Sequence, residues 1–205
     1  MIDIIQLREK FNKVLAHINR EGIPELVSWL ETTDFFTAPA STAYHNNFPG
    51  GLLSHSINVT EFAIINFNHI IKYKPELETL KESVILCALF HDLCKCNVYK
   101  SIQKWTKDVD NKWKSYNGYE FKDDFPAGHG SKSVILLNRY IKLTDVEILA
   151  IMYHMGAFDV GQSICNYAKM GFDKASEHPL VKIIYNADSL ATVLENTVDH
   201  KLQAS

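Results

Sequence analysis

The chain has 205 residues, 46% hydrophobic and 22% charged, with a formal net charge of −3. That length and composition fit one globular core rather than a disordered or fibrous chain, and no apolar run reaches the length of a membrane span. The acidic balance excludes a general attraction to nucleic acid, so any polynucleotide contact needs a local basic patch.

Apolar residues at Ile4, Ile5, Leu7, Phe11, Val14, Leu15 and Ile18 predict an amphipathic helix over 2–19. Gly22-Ile-Pro24 breaks it, and Pro24 suits the first turn of a second helix to about residue 30. Residues 32–49 read as loop, with Pro39, Pro49 and the Asn46-Asn47 pair. Gly50-Gly51 opens a helix to about residue 72, and Pro75 starts another over 76–95. The pattern then changes. Trp105, Val109, Trp113, Tyr116, Tyr119 and Phe121 alternate with lysines around Asp110-Asn111, which predicts a β-hairpin over about 103–121. Helices are expected again over 129–142 and 145–155, the second with Thr144 as N-cap and Gly156 as stop. A short helix is expected within 157–177, and a last one runs from Pro179 to about residue 199. The expected fold class is all-α, a helical bundle with an inserted hairpin, in a single domain over 1–205.

The N-terminus carries charges throughout and has no signal-peptide core, so the protein is expected to be cytoplasmic. Cys87, Cys94, Cys96 and Cys165 accordingly read as reduced, packed or half-exposed thiols. A zinc site on Cys94 and Cys96 lacks the second cysteine pair that such sites normally use.

The chemistry centres on Val84-Ile-Leu-Cys-Ala-Leu-Phe-His91-Asp92-Leu-Cys-Lys95, an apolar helical run that ends in an imidazole beside a carboxylate. Such a pair is costly to desolvate without compensation, and a divalent cation suits both donors. Neighbours on a helix point roughly 100° apart, so the two can meet one ion from two sides, or Asp92 can bridge two ions. Further candidate ligands are His55 in the first turns after Gly50-Gly51, His129 at a helix start, His154 at a helix end and Asp188 within the last helix. Each has an ordinary alternative: His129 satisfying a helix terminus, His154 facing a helix C-terminal dipole, Asp188 pairing with Lys182 or an arginine. The ordered set His, His-Asp, His, His, Asp is harder to explain that way.

In these residues the chain resembles the HD-domain superfamily of metal-dependent phosphohydrolases. The matching stretches are Gly50-Gly-Leu-Leu-Ser-His55-Ser, Leu89-Phe-His91-Asp92-Leu-Cys-Lys95 and Asn186-Ala-Asp188-Ser-Leu, within about 44–195. The resemblance implies a minimal metal set of His55, His91, Asp92 and Asp188. The dinuclear branch of the family adds two intervening histidines, matched in order by His129 and His154. Many relatives have glutamate in place of Ser54, which bears on the hydrogen bonding around His55, and Ile-Gly in place of Leu93-Cys94. The Gly-Tyr-Pro signature of the cyclic-di-GMP branch is missing, so that substrate is not expected.

The resemblance further implies one or two divalent ions, from among Mn, Fe, Co, Ni, Zn and Mg, that activate water against a phosphoester or phosphoanhydride. Asp92 and Lys95 are the expected catalytic residues, with Lys95 lending positive charge to the phosphate. The expected substrate is a small phosphorylated, nucleotide-like molecule. Lys95, Tyr44 and His45 would stand at its site, and Lys104, Trp105 and Tyr116 would form a wall or lid from the hairpin. Two alternatives remain. The run from Ala43-Tyr-His45 to His55 is similar to the HD domain of a bacterial exoribonuclease family, which allows a 3′→5′ exonuclease on single-stranded nucleic acid. Inositol oxygenase shares the ligand order, which allows a di-iron oxygenase. The acidic balance counts against the first, and Lys95 against the second. No heptad or apolar stripe decides the oligomeric state.

Overall fold

Val84 to Phe90 are seven consecutive buried residues, so the helix that carries them is enclosed on every side. The computed structural model describes residues 3–108, 110–156 and 167–197. The enclosed helix is α4 (Lys81–Phe90), preceded by α1 (Ile4–Leu15), α2 (Ile23–Glu31) and α3 (Gly51–Ile70). After it come the strands β1 (Tyr99–Lys107) and β2 (Trp113–Phe121). The chain then forms α5 (His129–Leu137), α6 (Asp145–Met152), α7 (Tyr167–Ala175) and α8 (Pro179–Leu194). Helix α3 packs most extensively on α8 and α4, α8 also meets α6, and α5 lies on α6. Phe11, Leu53, Ile57, Phe90, Leu137 and Ile184 belong to the one apolar cluster between them. The protein is therefore mostly helical with a two-stranded antiparallel hairpin. Among the described residues no helix is long and apolar enough to cross a membrane.

The expected helix over 76–95 is divided. Pro75–Leu80 is a 3₁₀ segment, α4 follows, and Leu93–Lys95 is a 3₁₀ turn. The break falls at Asp92, whose φ of −107° and ψ of 23° leave the helical region. His91 Nδ1 donates to the Ala88 carbonyl at 2.8 Å, a group that a continuing helix would offer to the backbone of residue 92. Other helices end earlier than expected. After α5, Asn138 Oδ1 accepts from the Leu143 N–H at 3.1 Å and turns the chain. Helix α6 starts with the expected Thr144 cap, in a complete capping box with Glu147, and stops before Gly156 at φ 63°. Residues 157–166, with Cys165, and the end of the expected last helix at 198–199 lie outside the described residues.

The hairpin runs in register from Tyr99 opposite Phe121 to Lys107 opposite Trp113, so it begins four residues before the expected start at 103. It is tied at its foot. Lys122 N–H donates to the Val98 carbonyl at 2.8 Å, and the buried Lys132 of α5 meets Asp123 at 2.6 Å.

Glu147 fastens the N-terminal end of α6 to the rest of the bundle. Its wholly buried carboxylate accepts from Arg20 at 2.7 Å, Ser83 Oγ at 2.7 Å and the Thr144 N–H at 2.8 Å. Burial raises the cost of its charge, but these three donors hold the carboxyl below its ordinary range. A depressed carboxyl pKa adds stability that is complete above the unfolded value, near 4.5, and is lost as pH falls below it. Glu147→Gln should therefore destabilise the protein by about 2 kcal/mol at neutral pH and flatten the acid limb of its stability curve. Thermal melts of the two proteins between pH 7 and pH 3 check this, and parallel acid limbs would contradict it.

Candidate metal centre

Every helix that carries a candidate ligand delivers it to one point. His55 comes from the second turn of α3, His91 and Asp92 from the break after α4, and His129 from the first position of α5. His154 follows α6 by two residues, and Asp188 lies within α8. Asp92 is the hub. Its Oδ2 lies 3.4 Å from His55 Nε2, 3.4 Å from His91 Nε2 and 2.7 Å from Lys95 Nζ. Its Oδ1 lies 2.8 Å from His129 Nε2 and 3.5 Å from His154 Nε2. Asp188 Oδ1 stands 3.1 Å from His55 Nε2 and 3.9 Å from His91 Nε2. The two oxygens of one carboxylate thus divide the imidazoles into two sets.

The opposite edges of three rings are anchored. His91 Nδ1 donates to the Ala88 carbonyl, His154 Nδ1 to the Ile151 carbonyl at 2.7 Å, and His55 Nδ1 to both Glu195 oxygens at 3.0 Å. All three therefore turn Nε2 toward the carboxylates, and His55 and His91 bring these atoms within 3.2 Å of each other. His154 Nε2 is buried without a hydrogen-bond partner among the described residues. Nitrogen and carboxylate donors converging with few hydrogens between them fit a divalent cation, and rings fixed through Nδ1 are what such an ion needs. Three groups of these side chains place donor atoms close enough to share an ion: His55, His91 and Asp92; His91, His154 and Asp188; and Asp92, His129 and His154.

Protons balance the same charges in the metal-free chain. Burial opposes charge on His55, yet Asp188, Asp92 and Glu195 outweigh it and hold the ring well above the usual imidazole range. Burial likewise opposes charge on His129, but Asp92 pushes it up to about 9. Burial lowers His91. Burial acts to raise Asp92, yet Lys95 and the neighbouring imidazoles keep it well below the carboxylate range. Lys95 is buried too, and Asp92 holds its ammonium above the usual lysine value.

A pocket of about 380 Å³ opens onto the cluster, lined by His45, Asp92, Lys95, Tyr99, His129 and Asp188 among others. A larger cavity of about 590 Å³, between Gly22 and Arg139–Lys142, contains none of the candidate ligands. His45 packs its ring 4.9 Å from that of His55, and burial, with His55 and Lys95 adding to it, pushes it down to about 4. The other expected substrate residues lie elsewhere. Tyr44 is 74% exposed and is not a lining residue. Lys104 Nζ donates to the Tyr119 carbonyl at 2.7 Å, Trp105 faces solvent, and Tyr116 lines a separate cavity beside the hairpin. Among the described residues no cysteine joins a metal-capable group. Cys94 instead sets its Sγ 3.1 Å from His129 Nδ1.

Sequence reading missed Glu195, Tyr99 and this role of Cys94. Glu195, which also accepts from Asn58 Nδ2 at 2.9 Å, was signalled by its spacing of seven residues from Asp188. On a helix continued to residue 199, as expected, the two acids would fall two turns apart on one face; α8 instead ends at Leu194 and Glu195 is its extended cap. Gly130 has a different office. A Cβ there would lie 2.3 Å from the Met152 carbonyl oxygen, so only glycine lets α5 start against the end of α6 and bring the His129 and His154 rings within 5.1 Å. Glu195→Gln should lower affinity for Mn²⁺ about 10–100-fold, measured by titration calorimetry. Gly130→Ala should cost about 1–3 kcal/mol of stability and weaken metal binding as well. Unchanged affinity in both variants would detach these residues from the site.

The family model described as HD domain matches residues 52–193, which includes all six candidate metal ligands. No curated protein and no solved structure matches the chain. The family is one of metal-dependent phosphohydrolases, helical and centred on His and Asp ligands, as this buried cluster is. The chain belongs to the HD-domain family.

Proposed function

We propose that the chain is a single-domain HD-type hydrolase that cleaves a phosphoester or phosphoanhydride of a nucleotide-like substrate. The observation that carries this reading is the pairing of the buried donor cluster with Lys95, which lies 2.7 Å from Asp92 at the wall of the pocket. The division of ligands between the two Asp92 oxygens supports two ions. His55, His91 and Asp188 would hold one with Asp92 Oδ2, and His129 and His154 the other with Oδ1. A divalent cation supplies Lewis acidity at such a site, lowering the pKa of water and polarising a phosphoryl oxygen.

The remaining work falls to the chain's own side chains. Lys95 presents a fixed positive charge to a phosphoryl oxygen without leaving Asp92. His129 is the most exposed of the candidate ligands, at 27% of its side chain; where a single ion binds and leaves it uncoordinated, its pairing with Asp92 keeps it protonated and able to donate to a leaving oxygen. His45 offers the pocket a ring whose Nε2 has no partner among the described residues, suited to a sugar hydroxyl. Tyr99, with its hydroxyl donating to the Ala40 carbonyl at 3.4 Å, walls the side from which a base would enter.

The test is product chromatography after incubation with nucleoside mono- and triphosphates and Mn²⁺, Co²⁺, Ni²⁺ or Mg²⁺. Phosphate release from at least one nucleotide is expected, falling at least about 10³-fold in Asp92→Asn. Metal content measured alongside should fall in the same variant. Hydrolysis that survives Asp92→Asn, or a protein that takes up no divalent ion, would refute the reading.

A further inference from the structure

Of the four imidazoles in the cluster, His129 is backed differently from the rest. His91 and His154 give their Nδ1 protons to backbone carbonyls at 2.8 and 2.7 Å, and His55 gives its own to the Glu195 carboxylate at 3.0 Å. Those acceptors fix the tautomer that leaves Nε2 with a lone pair for an ion. Behind His129 Nδ1 stands the Cys94 Sγ instead, at 3.1 Å. A thiol accepts weakly and can also donate, so it specifies the ring far less firmly. On the other edge of the ring, Nε2 lies 2.8 Å from Asp92 Oδ1, a hydrogen-bond distance, whereas His154 Nε2 stands 3.5 Å from that oxygen. In the metal-free chain His129 is a donor to Asp92.

The contact between the thiol and the ring is built into the fold. The 3₁₀ turn Leu93–Lys95 packs on α5. Within it the Cys94 N–H donates to Ser133 Oγ at 3.0 Å, and the Ser133 hydroxyl donates to the His129 carbonyl at 3.4 Å. One serine thereby ties the backbone of the cysteine to the first turn of the helix that carries the histidine. Cys94 is buried, so water does not take the place of its sulfur. The next residue, Lys95, holds Asp92 Oδ2 at 2.7 Å, so a single turn acts on both oxygens' surroundings. The two sides of Asp92 are also unequally furnished. Beside Oδ2 stand His55, His91 and Asp188, all buried, and beside Oδ1 stand only His154 and the half-buried His129.

We infer that the centre loads in two unequal steps and that Cys94 is the positioning residue that sets the weaker one, an inference that rests on the two-ion reading above. The first ion takes the side of His55, His91 and Asp188, where every ring is backed by a carbonyl or a carboxylate. The second needs His129 to release Asp92 and to turn its Nδ1 proton to Cys94, an acceptor that returns little for it. The chain therefore changes readily between a one-ion form, in which His129 is a proton donor, and a two-ion form, in which it is a ligand.

The test reads ion binding in the full chain without substrate, by titration calorimetry with Mn²⁺ and by the paramagnetic resonance of the bound ion. Two steps are expected, the second about tenfold or more weaker, with an isolated-ion spectrum at one equivalent and a spin-coupled spectrum at two. Cys94→Ala should weaken the second step about 10–100-fold and leave the first within about twofold. Cys94→Ser, which returns an oxygen acceptor, should recover most of that loss. Two steps of equal affinity overturn the inference, as does binding that ends at one ion. So does Cys94→Ala acting on both steps alike or on neither. Where the alanine variant does not fold, Cys94→Ser decides, and a shift of both its steps alike overturns the inference. A sulfur-to-metal charge-transfer band in the Co²⁺-loaded protein that Cys94→Ser abolishes also overturns it, because Cys94 would then be a ligand. Two ions bound in unequal steps with no nucleotide hydrolysed would sink the phosphohydrolase reading and leave this one standing. Hydrolysis by a protein that holds a single ion would do the reverse.

Discussion

Asp92 and Asp188 are enclosed with three buried imidazoles and a buried lysine, and the structure is arranged around keeping that concentration of charge tolerable. A lone carboxylate at this depth would be strongly disfavoured. Here Asp92 has His55, His91, His129, His154 and Lys95 within 3.5 Å, and Asp188 has His55. Each imidazole is in turn held from behind, by a backbone carbonyl, by Glu195 or by the Cys94 thiol. Acceptors and donors are balanced by protons in the chain itself, and the same balance suits a divalent cation that displaces them.

The helices meet this requirement by ending at the site. A ligand at a helix terminus can borrow a carbonyl that the helix no longer uses, as His91 does with Ala88 and His154 with Ile151. Helix α6 shows how the far end contributes. Its N-terminal turn is locked by Glu147 to Arg20 and Ser83, while its C-terminal end touches Gly130 closely enough to admit no side chain. With both ends set, His154 has little freedom to move from His129.

The hairpin obeys a different logic. Its extensive packing is between its own two strands, and it is tied to the body at Val98, Asp123 and Tyr99. The helices cover their apolar residues in a common core, whereas the hairpin leaves Trp105 and Trp113 in solvent and draws Lys104 onto the less exposed face. Among the described residues only Tyr99 belongs both to the hairpin and to the metal pocket. That residue is the physical link between the hairpin and the pocket over the buried donor cluster.

Much of this was legible in the residues alone. Apolar spacing announced the helices, Thr144 marked the start of α6, and the change of period after Asn97 announced the hairpin. The ordered His, His-Asp, His, His, Asp set named the candidate ligands that the fold brings together, because these donors are rare inside apolar helices unless they share a partner. What the residues could not show was how the two sides of each ring are used. Glu195 behind His55, Cys94 behind His129 and the division of imidazoles between the Asp92 oxygens involve contacts across distant segments, and helical period carries no information about them. The break at Asp92 was hidden for a similar reason: the local pattern favours a continued helix, and burial of His91 against its own helix end overrides it. The outward face of the hairpin also depended on tertiary structure. Alternation separates two faces of a strand, but only the position of the helices decides which one meets water.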